Sequence, residues 1–89
     1  MIKAKKDFII QKMMDAYMIL AVGDSADTYK FIIQTNKTGA FLWSMLEKGT
    51  YRDEMVSACL EYFDNLSKET AQQDIDEFLK GINAAIVEE

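Results

Sequence analysis

The sequence predicts an α+β domain in which a three-stranded antiparallel sheet is followed by a bundle of three helices. Up to residue 34, apolar residues gather in short β-branched runs that polar turns separate. From Asn36 onward, apolar residues recur at helical spacing. The chain has 89 residues, of which 49% are hydrophobic and 28% charged, a balance typical of one globular domain. We therefore expect residues 1–89 to form a single domain.

Three short runs account for the predicted sheet. Residues 8–13 form the first strand, and Met14-Asp15 supplies a tight turn into a second strand at residues 16–22. Small and polar residues at 23–27 predict a loop, and residues 29–34 predict a third strand. Because the connections are short, we expect a meander with the second strand in the middle.

The predicted strands are apolar on both faces. Phe8, Ile9 and Ile10 follow one another, and residues 18–22 are all apolar, whereas a sheet with one wet face should alternate. Two interpretations stay open. Short strands of small domains are often over-hydrophobic, or else a second copy in a homodimer or a partner enzyme covers the outer face.

Capping residues divide the second half of the chain into three predicted helices. The first contains Trp43 and ends at Gly49, and the second starts at Thr50 with a weak capping box to Asp53. Ser67 is a favoured N-cap for the third helix. Three helices that end in a long one also describe a winged-helix-like scaffold, which serves DNA binding and peptide binding alike.

The composition argues against catalysis and against a bound cofactor. The chain has no histidine, and Cys59 is its single cysteine, so an intrachain disulfide and a Cys/His metal site are both excluded. Without histidine, the commonest general base is also missing. We expect no catalytic residues, no metal and no cofactor.

The charge argues against nucleic acid as a partner. The formal net charge is −5, and the one basic cluster is Lys3, Lys5 and Lys6, which predicts a flexible basic N-terminus at residues 1–6. No apolar run approaches the roughly 18 residues of a membrane helix, and no signal-peptide core is present. We therefore expect a cytoplasmic protein that binds neither nucleic acid nor membrane.

Three stretches of the sequence resemble the PqqD family. The most specific runs from Thr35 through Asn36, Gly39 and Trp43, with Asn, Thr, Gly/Ala and Trp at the family's spacings. Residues 46–50 are similar to the family's break between its first two helices. Asp74-Ile75 and Phe78-Leu79 resemble its last helix, so that the resemblance extends over residues 8–87.

The resemblance implies a winged-helix-like fold and a non-catalytic peptide chaperone. In this family, the leader of a ribosomally synthesised precursor peptide docks as an added strand beside the third strand, and the last helix forms the other wall of the groove. The modifying enzyme is often a radical-SAM protein. The candidate peptide-binding residues are therefore those of the third strand and the apolar side of the last helix: Tyr29, Lys30, Phe31, Ile32, Ile33, Gln34, Thr35, Asp74, Ile75, Phe78 and Leu79.

Two other functions remain as alternatives. A winged-helix DNA-binding regulator needs a basic third helix, but Lys68 and Lys80 are outnumbered there by acidic side chains. A structural subunit that dimerises or docks through its second sheet face is the other alternative.

Overall fold

Two small antiparallel sheets and three long helices account for most of the residues that the structure describes. The computed structural model describes residues 1–28 and 32–89. The elements in chain order are β1 (Ile2–Ala4), β2 (Phe8–Met13), β3 (Ala16–Ala21), the single turn α1 (Ser25–Thr28), β4 (Ile32–Thr35), α2 (Lys37–Lys48), α3 (Arg52–Tyr62), α4 (Lys68–Gly81), a 3₁₀ turn (Asn83–Ala85) and β5 (Ile86–Glu88).

The larger sheet has the order β2-β3-β4, with every pair antiparallel. Met14 supplies the positive φ of 58° that the tight β2–β3 turn requires. The predicted meander is therefore confirmed, with β3 in the centre. Since side chains alternate across a strand, Phe8 and Ile19 face the helices and are buried.

The outer face of this sheet is apolar and exposed. Ile9, Leu20 and Ile32 are paired in one row across the three strands. Ile9 and Ile32 are 40% and 63% exposed, and Met13 on the same face is also exposed. The expectation that a second copy or an enzyme covers this face stays a prediction.

Side-chain and glycine caps fix the ends of α2 and α4. The Asn36 side-chain oxygen accepts from the Gly39 N–H at 2.9 Å, and Ser67 Oγ accepts from the Thr70 N–H at 3.2 Å. Gly49 ends α2 at a φ of 89°, a conformation that glycine adopts without strain. The predicted caps Gly49 and Ser67 are therefore confirmed.

The core lies between the inner face of the larger sheet and the three long helices. Its largest fully buried side chains are Trp43, Ile19, Leu46, Met55, Ile75 and Ile82. Burial of this kind stabilises by roughly 1.5–3 kcal/mol for each large aliphatic side chain.

The smaller sheet corrects the expectation of a flexible N-terminus at residues 1–6. Ile2–Ala4 form a strand that pairs with β5. On its other side, the Ile2 N–H donates to Thr50 O at 2.7 Å, and the Thr50 N–H donates to Ile2 O at 2.8 Å. Two strands of three residues, far apart in sequence, carry no local pattern, so only the tertiary fold defines them.

Thr50 also corrects the predicted start of the second long helix. It is buried in the bridge to Ile2, and α3 starts at Arg52 with Tyr51 as its N-cap. The first turn is closed by Glu54, whose carboxylate accepts from the Tyr51 N–H at 3.1 Å. No described helix combines the length and the apolar character that crossing a membrane requires.

Candidate functional site

A groove of about 610 Å³ opens where the end of β4, the first turns of α2 and the middle of α4 meet. The residues that line it are Thr35, Asn36, Thr38, Gly39, Leu42, Cys59, Phe63, Leu66, Ala71, Asp74, Ile75, Glu77 and Phe78.

The floor of the groove, which we define as Leu42, Phe63, Leu66, Ile75 and Phe78, is apolar. Leu42 and Ile75 are fully buried and belong to the core, whereas the other three are half-buried. A half-buried apolar side chain in a concavity gains further burial when a ligand covers it, which contributes about 25 cal/mol per Å² of apolar area. The floor therefore favours an apolar guest.

Gly39 holds the strand and both helices close together at one end of the groove. A Cβ atom at this position would lie 1.7 Å from Thr35 Oγ1 and 3.2 Å from Phe78 Cε1. Such distances are impossible for Thr35 and tight for Phe78, so a side chain here would displace Thr35. The shape of the groove thus depends on the missing side chain of Gly39.

The two walls of the groove differ in charge. On α4, the exposed carboxylates Asp74 and Glu77 line one wall. Across from them, the strand-to-helix junction contributes neutral polar groups from Thr35, Asn36 and Thr38. No lysine or arginine is among the described residues that line the groove.

Cys59 lies buried at the base of the groove. Burial raises the pKa of its thiol, and the negative charge of Asp74 raises that pKa further. The thiol therefore stays protonated at neutral pH and is a poor nucleophile. Within residues 1–28 and 32–89, no cluster of three or more acidic or cysteine side chains has metal-binding geometry.

Beside the groove, one border of β4 carries no other strand of the described residues. β4 is hydrogen-bonded to β3 on one side, and in the part of the chain that the structure describes no strand lies on its other side. The main-chain N–H and C=O groups of an edge strand are a ready template for a further strand. The free border and the groove meet at Thr35, which belongs to β4 and lines the groove.

The structure brings four of the predicted site residues together in this groove: Thr35, Asp74, Ile75 and Phe78. Ile32 and Gln34 are exposed on the outer side of β4, and Ile33 and Leu79 pack against the core. None of these four lines the groove. The remaining predicted site residues, Tyr29, Lys30 and Phe31, lie outside the described residues.

Several lining residues were not predicted for the site: Asn36, Thr38, Gly39, Leu42, Cys59, Phe63, Leu66, Ala71 and Glu77. Most are apolar and at helical spacing, a pattern that predicts core as readily as groove. A signal was present on α4, because Ala71 and Glu77 lie three positions from Asp74, on the same side of the helix.

Comparison with known proteins gives one family and one similar solved structure. Residues 10–85 match the family model described as coenzyme PQQ synthesis protein D (PqqD). The structure described as TbiB1 in complex with the TbiA(beta) leader peptide is similar to this chain, with 23% sequence identity and a TM-score of 0.67. The similarity covers 92% of this chain and 88% of that chain, and it confirms the predicted α+β fold. No curated protein matches the chain significantly.

Proposed function

The chain belongs to the PqqD family, and from that premise we propose that it is a peptide chaperone without catalytic activity of its own. It binds the leader of a ribosomally synthesised precursor peptide as an added strand on β4 and presents that peptide to a modifying enzyme. The similar solved structure is described as holding a leader peptide, which supports the same class of ligand here.

The observation that carries this proposal is the free border of β4 beside an apolar groove. An extended peptide placed about 4.8 Å from β4 satisfies the main-chain groups of that border. Every second side chain of the peptide then points to the helix side of the sheet, where the floor of the groove lies. Main-chain hydrogen bonds supply affinity, and the alternate side chains supply specificity.

The chemistry of the groove fits binding better than catalysis. Asp74 and Glu77 are exposed, which gives neither carboxyl the dry surroundings that prepare a general base. The one thiol, Cys59, is kept protonated by burial, with a raised pKa. We propose that bond making belongs to the partner enzyme, which by the family pattern is a radical-SAM protein. The chaperone contributes by raising the local concentration of the precursor at that enzyme.

The charge of α4 disfavours the alternative of a winged-helix DNA regulator. Its exposed acidic residues Glu69, Asp74, Asp76 and Glu77 outnumber its two lysines, Lys68 and Lys80. A helix in the major groove lies against phosphates, which repel such a surface. Peptide binding does not require a basic helix surface.

The proposal is tested by titrating the native protein with candidate leader peptides of ribosomally synthesised precursors, the TbiA(beta) leader among them. Phe78→Ala removes a half-buried ring from the floor, and we expect the affinity to fall about tenfold or more. Tyr51→Ala is the matched control, because it truncates an exposed aromatic side chain that does not line the groove. Equal losses in the two variants, with both still folded by circular dichroism, would place the binding site elsewhere.

A further inference from the structure

We propose that this groove selects peptides in which a lysine or arginine stands two residues from an apolar anchor, and that Asp74 and Glu77 are the selecting pair. This inference rests on the proposed function and specifies the chemical class of its ligand. The anchor seats on the floor, and the cation reaches the acidic wall.

The carboxylates of α4 are divided between two sides of the helix. Asp76 points toward α3, where Arg52 donates to it through two nitrogens at 2.6 and 2.9 Å. Asp74 and Glu77 lie on the groove side, and no residue in the described ranges forms an ion pair with either. Two carboxylates three positions apart share one helix face, so both charges act on the same guest.

The cation is expected near the anchor because of the order of side chains along α4. Ile75 and Phe78 belong to the floor, and each directly neighbours a wall carboxylate in sequence. In an extended peptide, the side chains that enter the groove are two residues apart, or about 6.6 Å. A lysine or arginine stem spans the remaining distance to the wall while its methylene groups stay on apolar surface.

The surroundings strengthen this preference. The opposite wall is neutral, no described lysine or arginine lines the groove, and the whole chain carries a net charge of −5. An acidic residue at the same peptide position meets two like charges, and no described lysine or arginine lines the groove to compensate them. Electrostatic complementarity of this kind sets partner choice more than total affinity.

The test is a display selection of random 12-residue peptides on the full chain in four forms. These are the native protein, Asp74→Asn with Glu77→Gln, Asp74→Lys with Glu77→Lys, and the control Glu47→Gln with Glu61→Gln. The control removes the same two charges from exposed positions outside the groove. Selected peptides are then measured by titration at low and physiological salt.

We expect native and control proteins to enrich lysine or arginine two residues from a leucine, isoleucine or aromatic residue. The neutral pair should keep the apolar anchor, lose the basic preference and bind native-selected peptides about two- to tenfold more weakly. The lysine pair should enrich acidic residues instead, a reversal that a merely structural role of Asp74 and Glu77 would not produce.

Two outcomes overturn the inference, and they differ in what else they overturn. If groove-binding peptides emerge with no charge preference, or with the same preference on the lysine pair, charge selection is wrong while the proposed function stands. If no form of the protein enriches peptides that bind in the groove, the proposed function is wrong, and this inference is wrong with it.

Discussion

β1 and β4 are both short strands, but they differ in what lies along their second side. β1 pairs with β5 on one side, and on the other its Ile2 exchanges two main-chain hydrogen bonds with Thr50. β4 pairs with β3, and within the described ranges no strand occupies its second side. The protein thus closes one border with its own chain and leaves the other open beside a groove. We expect the closed border to serve stability, and we propose that the open one binds the peptide.

The largest expected effect comes from breaking the closed border. Ile2→Pro removes the N–H that donates to Thr50 O and leaves that buried carbonyl without its partner. We expect the free energy of unfolding to fall by about 3 kcal/mol. Ile2→Val is the control, because it keeps the N–H and most of the side chain. Urea unfolding of the two variants measures the difference, and equal stabilities would show that the hydrogen bond from the Ile2 N–H to Thr50 O contributes nothing.

The next effect comes from Gly39→Ala. The added methyl group collides with Thr35, so Thr35 must shift, and the groove that it lines changes shape. We expect a loss of about 2 kcal/mol in unfolding free energy, together with weaker peptide binding.

Gly81→Ala makes the same chemical change where no atom lies within 4 Å of the new Cβ. Because Gly81 is an exposed residue of α4, alanine should stabilise by about 0.5–1 kcal/mol and leave peptide affinity unchanged. Parallel thermal melts and peptide titrations compare the two glycines. If Gly39→Ala left both the stability and the peptide affinity unchanged, this result would contradict the close packing around Gly39.

The open border is probed by a smaller change in the ligand. N-methylation of a bound peptide at successive positions removes one N–H at a time. Since N–H groups alternate in direction along a strand, we expect losses of about tenfold at every second position and little loss between them. Titration of the protein with each N-methylated peptide measures whether the affinity losses alternate along the peptide. Uniform losses, or none, would mean that the main chain of the peptide does not pair with β4.

The smallest effect concerns Asp76, a carboxylate of α4 that does not line the groove. The hydrogen bond from Arg52 lowers the pKa of Asp76 from its ordinary value of 3.8. Folding therefore favours the ionised form, and this small stabilisation is present above pH 3.8 and is lost as the pH falls through the lowered pKa. Both side chains are exposed, so the contribution is slight.

A double-mutant cycle of Arg52→Gln and Asp76→Asn, followed by unfolding at neutral and at acid pH, measures this contribution. Peptide affinity should not change, because Asp76 does not line the groove. A loss of affinity equal to that of the Asp74 and Glu77 variants would remove the distinction between the two sides of α4.

The sequence predicted the parts of the fold that local signals determine. The bounds of β2, the central place of β3 and the caps Gly49 and Ser67 follow from residue types within a few positions. The β1–β5 pair did not follow, because its partners lie more than 80 residues apart and each strand is only three residues long. Thr50 looked like a helix start because its burial depends on that distant pair.

Part of the lining of the groove could be predicted from the family resemblance. The resemblance placed Thr35, Asp74, Ile75 and Phe78 at the site, and these four line the groove. Residues such as Phe63 and Leu66 enter it through the packing of α3 against α4, which no spacing in the sequence defines. The importance of Gly39 depends on how closely Thr35 and Phe78 approach it, a distance that only the folded chain reveals.

The central claim is that a guest strand pairs with β4, and amide hydrogen exchange tests it most directly. Rates are measured for the amides of β1 and β4 with and without a saturating leader or selected peptide. We predict that β1 is protected in both states, whereas β4 amides on the free border become at least tenfold slower only when the peptide is bound. Unchanged exchange at β4, with new protection on the outer border of β2 instead, would contradict the account.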